Sequence, residues 1–464
     1  MNKLKTFDNF EKWVRPTPEN RAFYSPELDD YIGEISQRIS NVEIRQLFIN
    51  TFANTLDTTA YNYLREGKNH TYVITGDIEA MWLRDSTAQV WHYLPLAKTS
   101  TEIDRLLVGL IGNQARCILL DPYANAFYDQ DKLGVHATDI TQMSPGVHER
   151  KWELDSLIYP IALANAYWKI TQNSQPFDAQ WCDSISLILA TLKVQQRVNG
   201  HGPYFFDRVT SNPIDTLSNQ GNGPSYTPTG MVASSFRASD DSCTYPFNIP
   251  ENLFALKTLQ DLLELLDDLK LSHFNVPVTE LISNISSGIE KYGHTEHPVF
   301  GTMYAFEVDG FGNSVSMDDA NVPSLLSLPY LGVIAVDDAI YRATRAFILS
   351  QANPYYFSGA LGSGIGSPHT GNNSIWPISL IIQASTSAND EEILSCLRLL
   401  IKSSAGTGLL HESFNADNVS DYTRAWFAWC NSLFGGLILR LIQERPGLLN
   451  LIHPQSRTPL SIAD

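Results

Sequence analysis

The sequence predicts an all-α toroid of helical hairpins, and three observations lead there. Apolar residues recur at helical spacing along nearly the whole chain. The segments between those stretches are long, and are rich in Gly, Pro, Tyr, Asp and His. No Pro- or Ser-rich hinge and no strict repeat interrupts the 464 residues, so one core over 1–464 is expected, with the long loops gathered at one end. An ordinary helical array satisfies the same pattern and is the plainer alternative.

From the N-terminus, helices are expected over 27–48, 51–65, 78–97, 103–120, 155–171 and 180–197. After Pro250, the residues Leu256, Leu259, Leu263 and Leu266 step by three or four, while Lys257, Asp261, Glu264 and Asp268 fall between them. That is an amphipathic helix, and Pro250 suits its first turn, where a missing N–H breaks no bond. Further helices are expected over 276–292, 335–350, 374–386 and 423–444. Asn389 followed by Glu392 resembles a capping box opening one more, through Ile393, Cys396, Leu397 and Leu400. The connections 121–152, 198–250, 293–322 and 351–373 are longer than plain turns, and their aromatic content argues against disorder.

Composition narrows the function classes. Hydrophobic residues make up 43% and charged residues 18%, enough for a large buried core. A net charge of −18 leaves no basic stripe to displace phosphate counterions, so nucleic acid is not an expected partner. No apolar run approaches the ~18 residues of a membrane span. Five cysteines, odd in number and never in a CxxC pair, fit reduced thiols. The start Met1–Asp8 lacks the apolar core of a signal peptide, so a cytoplasmic location is expected. The sequons at Asn69, Asn284, Asn372 and Asn418 are then chance matches. With 21 Phe, 20 Tyr and 9 Trp, most rings fill the core, but some remain to stack on flat C–H faces of a sugar.

Two acidic clusters far apart carry the chemical expectation. One is Ser239-Asp240-Asp241-Ser242, and the other is His411-Glu412-Ser413, followed by Arg424, Trp426 and Trp429. Two carboxyls meeting across a sugar-sized cleft are the minimum for breaking a glycosidic bond, one protonated and one ionised. Each also has a plainer reading: Ser-Asp-Asp is ordinary turn chemistry, and most glutamates are surface residues. Met81-Trp82-Leu83-Arg84-Asp85-Ser86 offers a stacking face, a donor fork and an acceptor, the features a hydroxyl-rich ligand needs. It equally suits an Arg–Asp pair at a helix start. Trp152-Glu153-Leu154-Asp155-Ser156 repeats the pattern, and acidic residues there also suit a helix dipole. His369 and His411 read as donors to sugar hydroxyls or to a carboxylate. His294-Thr295-Glu296-His297 lacks the HExxH order and a third ligand, so no metal site is expected, and no cofactor motif is present.

Taken together these segments resemble glycoside hydrolase family 125, the exo-α-1,6-mannosidases. The matching pieces run from Thr75-Gly76-Asp77 through Trp82-Leu83-Arg84-Asp85-Ser86, then Trp152 to Ser156 and Phe236-Arg237-Ala238-Ser239-Asp240-Asp241. They continue with Ser367-Pro368-His369-Thr370, Ile375-Trp376-Pro377-Ile378-Ser379, His411-Glu412-Ser413 and Arg424-Ala425-Trp426-Phe427-Ala428-Trp429. The resemblance implies an (α/α)6 barrel forming one catalytic domain, and metal-independent, inverting hydrolysis that releases mannose from non-reducing ends of α-mannosides. It implies Asp240 as general acid, with Asp241 second, and Glu412 as general base. Trp82, Arg84, Asp85, Asp155, Arg237, Asp241, His369, His411, Arg424 and Trp426 are the expected sugar contacts. Ala238 departs from the pattern, where proline is expected. The composition of the loop 207–230 points to altered subsites beyond the cleaved bond. The rivals are an (α/α)6 glucosidase with the same acids, a calcium-dependent mannosidase, and a glycan-binding protein without catalysis.

Overall fold

The computed structural model describes residues 12–452, so Met1–Asp8 lies outside the described residues. Twelve α-helices of eight residues or more follow one another in it. The first six are α1 (Pro26–Gln37), α2 (Val42–Thr58), α3 (Leu83–Val90), α4 (Thr101–Leu120), α5 (Leu154–Thr171) and α6 (Ala179–Gln195). The second six are α7 (Ile249–Asp268), α8 (Asn275–Tyr292), α9 (Ala339–Ile348), α10 (Pro377–Ser385), α11 (Asp390–Ser403) and α12 (Ala428–Glu444).

Burial sorts these helices into two rings. Every residue of α3 is buried, as are 154–165 of α5 and all but one residue of α10, so these stretches are enclosed on all sides. They belong to an inner ring in which α12 packs on α3, α3 on α5, α5 on α7, and α10 on α12. The helices α2, α4, α6, α8, α9 and α11 form the outer ring. Most of them bury one stripe, while α2 is buried on every face over 50–57 and α4 over 106–111. Of these, α4 packs on α5, α8 on α7, α11 on α10 and α2 on α12. Between α7 and α10 the inner place is taken by turns over 325–332, not by a helix. Tyr159 of α5 and Tyr341 of α9 donate to the Val322 and Leu326 carbonyls and hold that segment between them. This is the (α/α)6 barrel, with one inner helix replaced by turns.

The two rings begin differently. Five of the six outer helices start behind a polar residue whose side chain accepts a backbone N–H: Asn41, Ser100, Asp178, Asp338 and Asn389; α8 starts behind Phe274 without such a cap. The inner helices α3, α5, α10 and α12 start behind Trp82, Glu153, Trp376 and Phe427, and none of these four caps its helix, whereas inner α7 is capped by Asn248, which accepts from Glu251 N. The first N–H of α3 and of α5 is instead taken by a distant segment: Leu83 N donates to the Asn125 carbonyl and Leu154 N to Ser234 Oγ, each at 3.0 Å.

Helix positions read from spacing hold over most of the chain, with four differences. The one helix expected over 27–48 is two, α1 and α2, parted at 38–41, and α2 runs on unbroken through 49–50. Residues 60–73 form a hairpin, Ala60–Arg65 against Lys68–Val73, where a helix over 51–65 is expected. Glu66 and Gly67 both take positive φ, 52° and 81°, which closes a two-residue hairpin turn. In α7 the buried face is centred on Ala255, Thr258, Leu259, Leu262, Leu265 and Leu266, while Leu256 and Leu263 are half-buried. Asn389 accepts from Glu391 N and Glu392 N as expected, but the Glu392 carboxylate turns to Arg345, Gln383 and Ser387 and closes no box.

The long loops carry short antiparallel strands at the strand-to-helix junctions. Met81–Trp82 pairs with Ala126–Phe127, and Ser374–Ile375 with Ser413–Asn415, which pairs in turn with Tyr422–Thr423. These ladders fix the residues that enter α3, α10 and α12.

Candidate active site

One pocket of about 110 Å³ collects residues from all of these junctions. Trp82, Arg84 and Asp85 come from the start of α3, Ser239 and Asp240 from the 236–242 turn, and Asn321 from the turn segment. His369, Trp376, Glu412, Arg424, Phe427 and Trp429 complete it from the α10 and α12 side. A larger cavity of about 280 Å³ lies between α5, α7 and α12, lined by Tyr159, Phe254, Tyr330 and Lys169. It holds no pair of carboxylates in the arrangement a glycosidase needs. Trp429 lines both cavities and stands between them.

Arg84 is the electrostatic centre of the pocket. It is 2% exposed and lies 2.7 Å from Glu153, 3.3 Å from Asp155, 3.2 Å from Asp240 and 3.5 Å from Asp85. Its guanidinium also stands 5.7 Å over the Trp429 ring. Four carboxyl groups around one cation cannot all stay ionised in a dry site. Burial pushes the Asp85 carboxyl up to about 6, against the pull of Arg84. Burial likewise raises Asp155 and drives Glu153 well above the usual carboxylate range, again opposed by Arg84.

Asp240 and Asp241 are neighbours with different surroundings. Asp240 takes a left-handed backbone, φ 64°, inside a turn closed by Arg237 N to Asp241 O and Asp240 N to Arg237 O, each 2.8 Å. A non-glycine residue in that conformation is a costly feature that functional sites tolerate. Lys151 Nζ donates to the Asp240 carbonyl at 2.8 Å and to Asp215 at 2.6 Å, tying the turn to the 207–216 loop. The Asp240 side chain opens into the pocket and is 26% exposed. Asp241 points away, is 2% exposed, and meets His369 Nδ1 at 3.0 Å.

That contact sets the charge of His369. Burial pulls the imidazole down, but the Asp241 hydrogen bond and charge overcome this and raise it to about 9. The ring is therefore cationic at neutral pH while lining the pocket. Asp241→Asn is expected to return the His369 midpoint from about 9 towards 6.5, read by NMR titration of the ring protons. A midpoint left near 9 would show that another group holds the charge.

Glu412 enters the pocket from the other side, with its carboxyl 11% exposed and Arg424 Nη1 3.4 Å away. Arg424 also pairs with Asp77, donating through Nε at 3.0 Å. His411 Nδ1–H donates to the Arg424 carbonyl at 2.9 Å, and its ring stacks on Tyr422 at 3.6 Å. Asp240 and Glu412 thus face one cavity from separate segments, with Arg84 beside one and Arg424 beside the other.

The structure brings Trp82, Arg84, Asp85, Asp240, His369, Glu412 and Arg424 to the pocket wall. Five expected sugar contacts stand behind it instead. Asp155 is spent on Arg84, Asp241 on His369, and Arg237 on Glu307 at 2.6 Å. His411 is fully buried, and Trp426 packs on Trp13, Leu409 and Ala428. Asp155, Asp241 and His411 thereby hold Arg84, His369 and Arg424, which do line the wall. Thr75, Ile78, Asn321, Trp376 and Phe427 line the pocket unforeseen. For Trp376 and Phe427 the signal was present: each immediately precedes an apolar helical stretch with no capping residue. Asn321 carries no such mark. Among the described residues no cluster of His, Cys, Asp and Glu could hold a metal ion, and no helix is long and apolar enough to cross a membrane.

Residues 41–439 match the family model of metal-independent α-mannosidases, glycoside hydrolase family 125. The "Meiotically up-regulated gene 157 protein" of Schizosaccharomyces pombe is 40% identical over 456 residues, 94% of this chain and 89% of that protein. A Streptococcus pneumoniae metal-independent α-mannosidase, solved in a non-productive complex with α-1,6-mannobiose, is 41% identical with a TM-score of 0.87. The match covers 91% of this chain and all (100%) of that one. A further glycosidase structure, 11% identical at TM-score 0.50 over 91% of this chain and 98% of its own, shares the fold alone.

Proposed function

Since the chain belongs to glycoside hydrolase family 125, the metal-independent α-mannosidases, we propose that it is an exo-acting, inverting α-1,6-mannosidase with Asp240 as general acid and Glu412 as general base. The observation that carries this reading is the meeting of these two carboxyls, about 170 positions apart in sequence, on one pocket. The linkage follows from the S. pneumoniae relative and its α-1,6-mannobiose complex. The size of the pocket, about 110 Å³, supports exo action, because it is well below the roughly 300–1,000 Å³ of larger ligand sites and suits one terminal ring.

Each step has a named group. Asp240 gives its proton to the glycosidic oxygen as the bond to the anomeric carbon breaks. Glu412 takes a proton from a water that attacks the opposite face of that carbon. Mannose leaves with inverted configuration, and Glu412 then loses its proton to solvent. The Arg424 and His369 cations supply donors for the sugar hydroxyls, while Trp82, Trp376 and Trp429 offer faces for its C–H surfaces.

The test is a substrate panel with stereochemistry. α-1,6-Mannobiose should be cleaved, α-1,2-mannobiose and α-glucosides should not, and EDTA should change nothing. Proton NMR of the first turnovers should show β-mannose before mutarotation. First-formed α-mannose would exclude inversion, and turnover of glucosides alone would exclude the mannosidase reading.

A further inference from the structure

A general acid that sits against Arg84 presents a difficulty. Burial raises the Asp240 carboxyl, but Arg84, a hydrogen bond from Glu153, Lys151 and His369 outweigh it and hold Asp240 below the usual carboxylate range. Alone, such a group has no proton to give near neutral pH. Its surroundings resolve the difficulty.

Asp240 and Glu153 are clamped together by two shared donors. Arg84 Nη1 lies 2.7 Å from Glu153 Oε2, and Nη2 lies 3.2 Å from Asp240 Oδ1. Asn125 Nδ2 lies 3.2 Å from Glu153 Oε1 and 3.3 Å from Asp240 Oδ1, with Glu149 Oε2 also at 3.2 Å. That amide has two hydrogens for three carboxyl oxygens, so the carboxyl groups here are short of donors. Ser156 Oγ and Arg84 both serve Glu153 Oε2, which leaves Oε1 as the oxygen shared with the Asn125 and Asp240 side. Glu153 is fully buried, whereas Asp240 reaches the pocket.

We propose that Glu153 and Asp240 share a single proton, so that Glu153 is a positioning residue that keeps an acid available at Asp240 for the leaving group. This rests on Asp240 being the general acid. One proton shared by two close carboxyls belongs to the pair, as in other carboxylate dyads. At rest it lies on the Glu153 side, in keeping with the upward push of burial on that group. As the glycosidic oxygen gains charge, Asp240 delivers the proton and both carboxyls are left ionised. The pair then takes one proton from solvent through Asp240, whose side chain is the exposed member. Glu412 releases one to solvent in the same cycle, so protons balance.

The charged and titratable groups facing the pair are Arg84 and Asp85 on α3, His148, Glu149 and Lys151 on the segment 148–151 before α5, and Asp155 on α5. His369 faces it from the 368–370 turn. Only Glu153 and Asp240 share both the guanidinium and the amide while one of them opens to the substrate.

The experiment compares Glu153→Gln with wild type on two substrates. α-1,6-Mannobiose needs a protonated leaving group, and 2,4-dinitrophenyl α-mannoside does not. Glutamine holds no transferable proton and donates to Asp240, keeping it ionised. Mannobiose turnover should fall by about 10²-fold or more, with dinitrophenyl mannoside little changed. The basic limb of kcat/KM on mannobiose should move to lower pH. An equal fall on both substrates, or an unmoved basic limb, overturns the proposal. Glu153→Asp carries the test if the glutamine variant does not fold. Its carboxyl, drawn back by one methylene, must still cost mannobiose more than dinitrophenyl mannoside, and an equal cost overturns the proposal. Asp240→Asn, run alongside, separates the two assignments. Retained mannobiose turnover there removes Asp240 as the acid and the shared proton with it. Loss confined to mannobiose in Asp240→Asn but absent in Glu153→Gln removes only the shared proton.

Discussion

Glu412→Gln is expected to lower kcat on α-1,6-mannobiose by about 10²–10⁴-fold while KM changes little. The amide keeps the shape of the side chain and its place beside Arg424, 3.4 Å away, but cannot accept the proton of the attacking water. The loss should appear equally with 2,4-dinitrophenyl α-mannoside, because the water still needs a base whatever the leaving group. That equality distinguishes Glu412 from Asp240, whose replacement should spare the activated substrate. A smaller side chain makes a sharper test. In Glu412→Ala, azide needs no deprotonation and fits the space of the lost carboxyl, so it should restore turnover and give β-mannosyl azide. Formation of the α-azide would mean that the nucleophile enters from the other face and that Glu412 is not the base.

Arg84→Leu is expected to have the largest effect on stability, a loss of about 3–5 kcal/mol. The guanidinium is 2% exposed and bonded to Glu153, Asp155 and Asp240, with Asp85 also in reach. Its removal leaves those carboxyls buried without a cation. The dependence on pH follows from the sign of the shifts. Asp85 already stands raised in the folded protein, at about 6, so its contribution to stability is complete below 3.8 and fades as pH rises through 6. Without Arg84 the carboxyls that it holds down rise further, and protonation relieves the penalty at higher pH than in wild type. The deficit of the variant, measured by thermal unfolding, should therefore be smaller at pH 5 than at pH 8. A deficit that is constant with pH would mean that Arg84 acts by packing alone.

The difference between visible and hidden features of the site follows from what local patterns encode. Asp240 and Glu412 stand in motifs dense with aromatic and polar residues, and chemistry of that kind marks itself locally. Arg84 and His369 were expected beside the sugar for the same reason, and both line the pocket. Asp155, Asp241, Arg237, His411 and Trp426 share those motifs, yet each faces a protein partner. Adjacent residues in a turn or at a helix start point in different directions, and a motif does not say which of them meets the ligand. Asn125 and Lys151 lie in long loops without a motif, and their role depends on the carboxyls that folding brings to them.

The local elements were set by the sequence itself. Spacing of Leu, Ile and Phe marks most helices, and Ser, Asn and Asp mark the starts of five outer helices and of inner α7, because propensity and capping act over a few neighbouring residues. The turn at Glu66 and Gly67 belongs to the same class, since it depends on two backbone angles. What only the tertiary structure decided is which groups share a proton, a cation or a cavity. Closure of the barrel sets Arg84 among four carboxyls drawn from three segments of the chain. Their charge states depend on the dielectric and the partners found there, which no stretch of sequence contains.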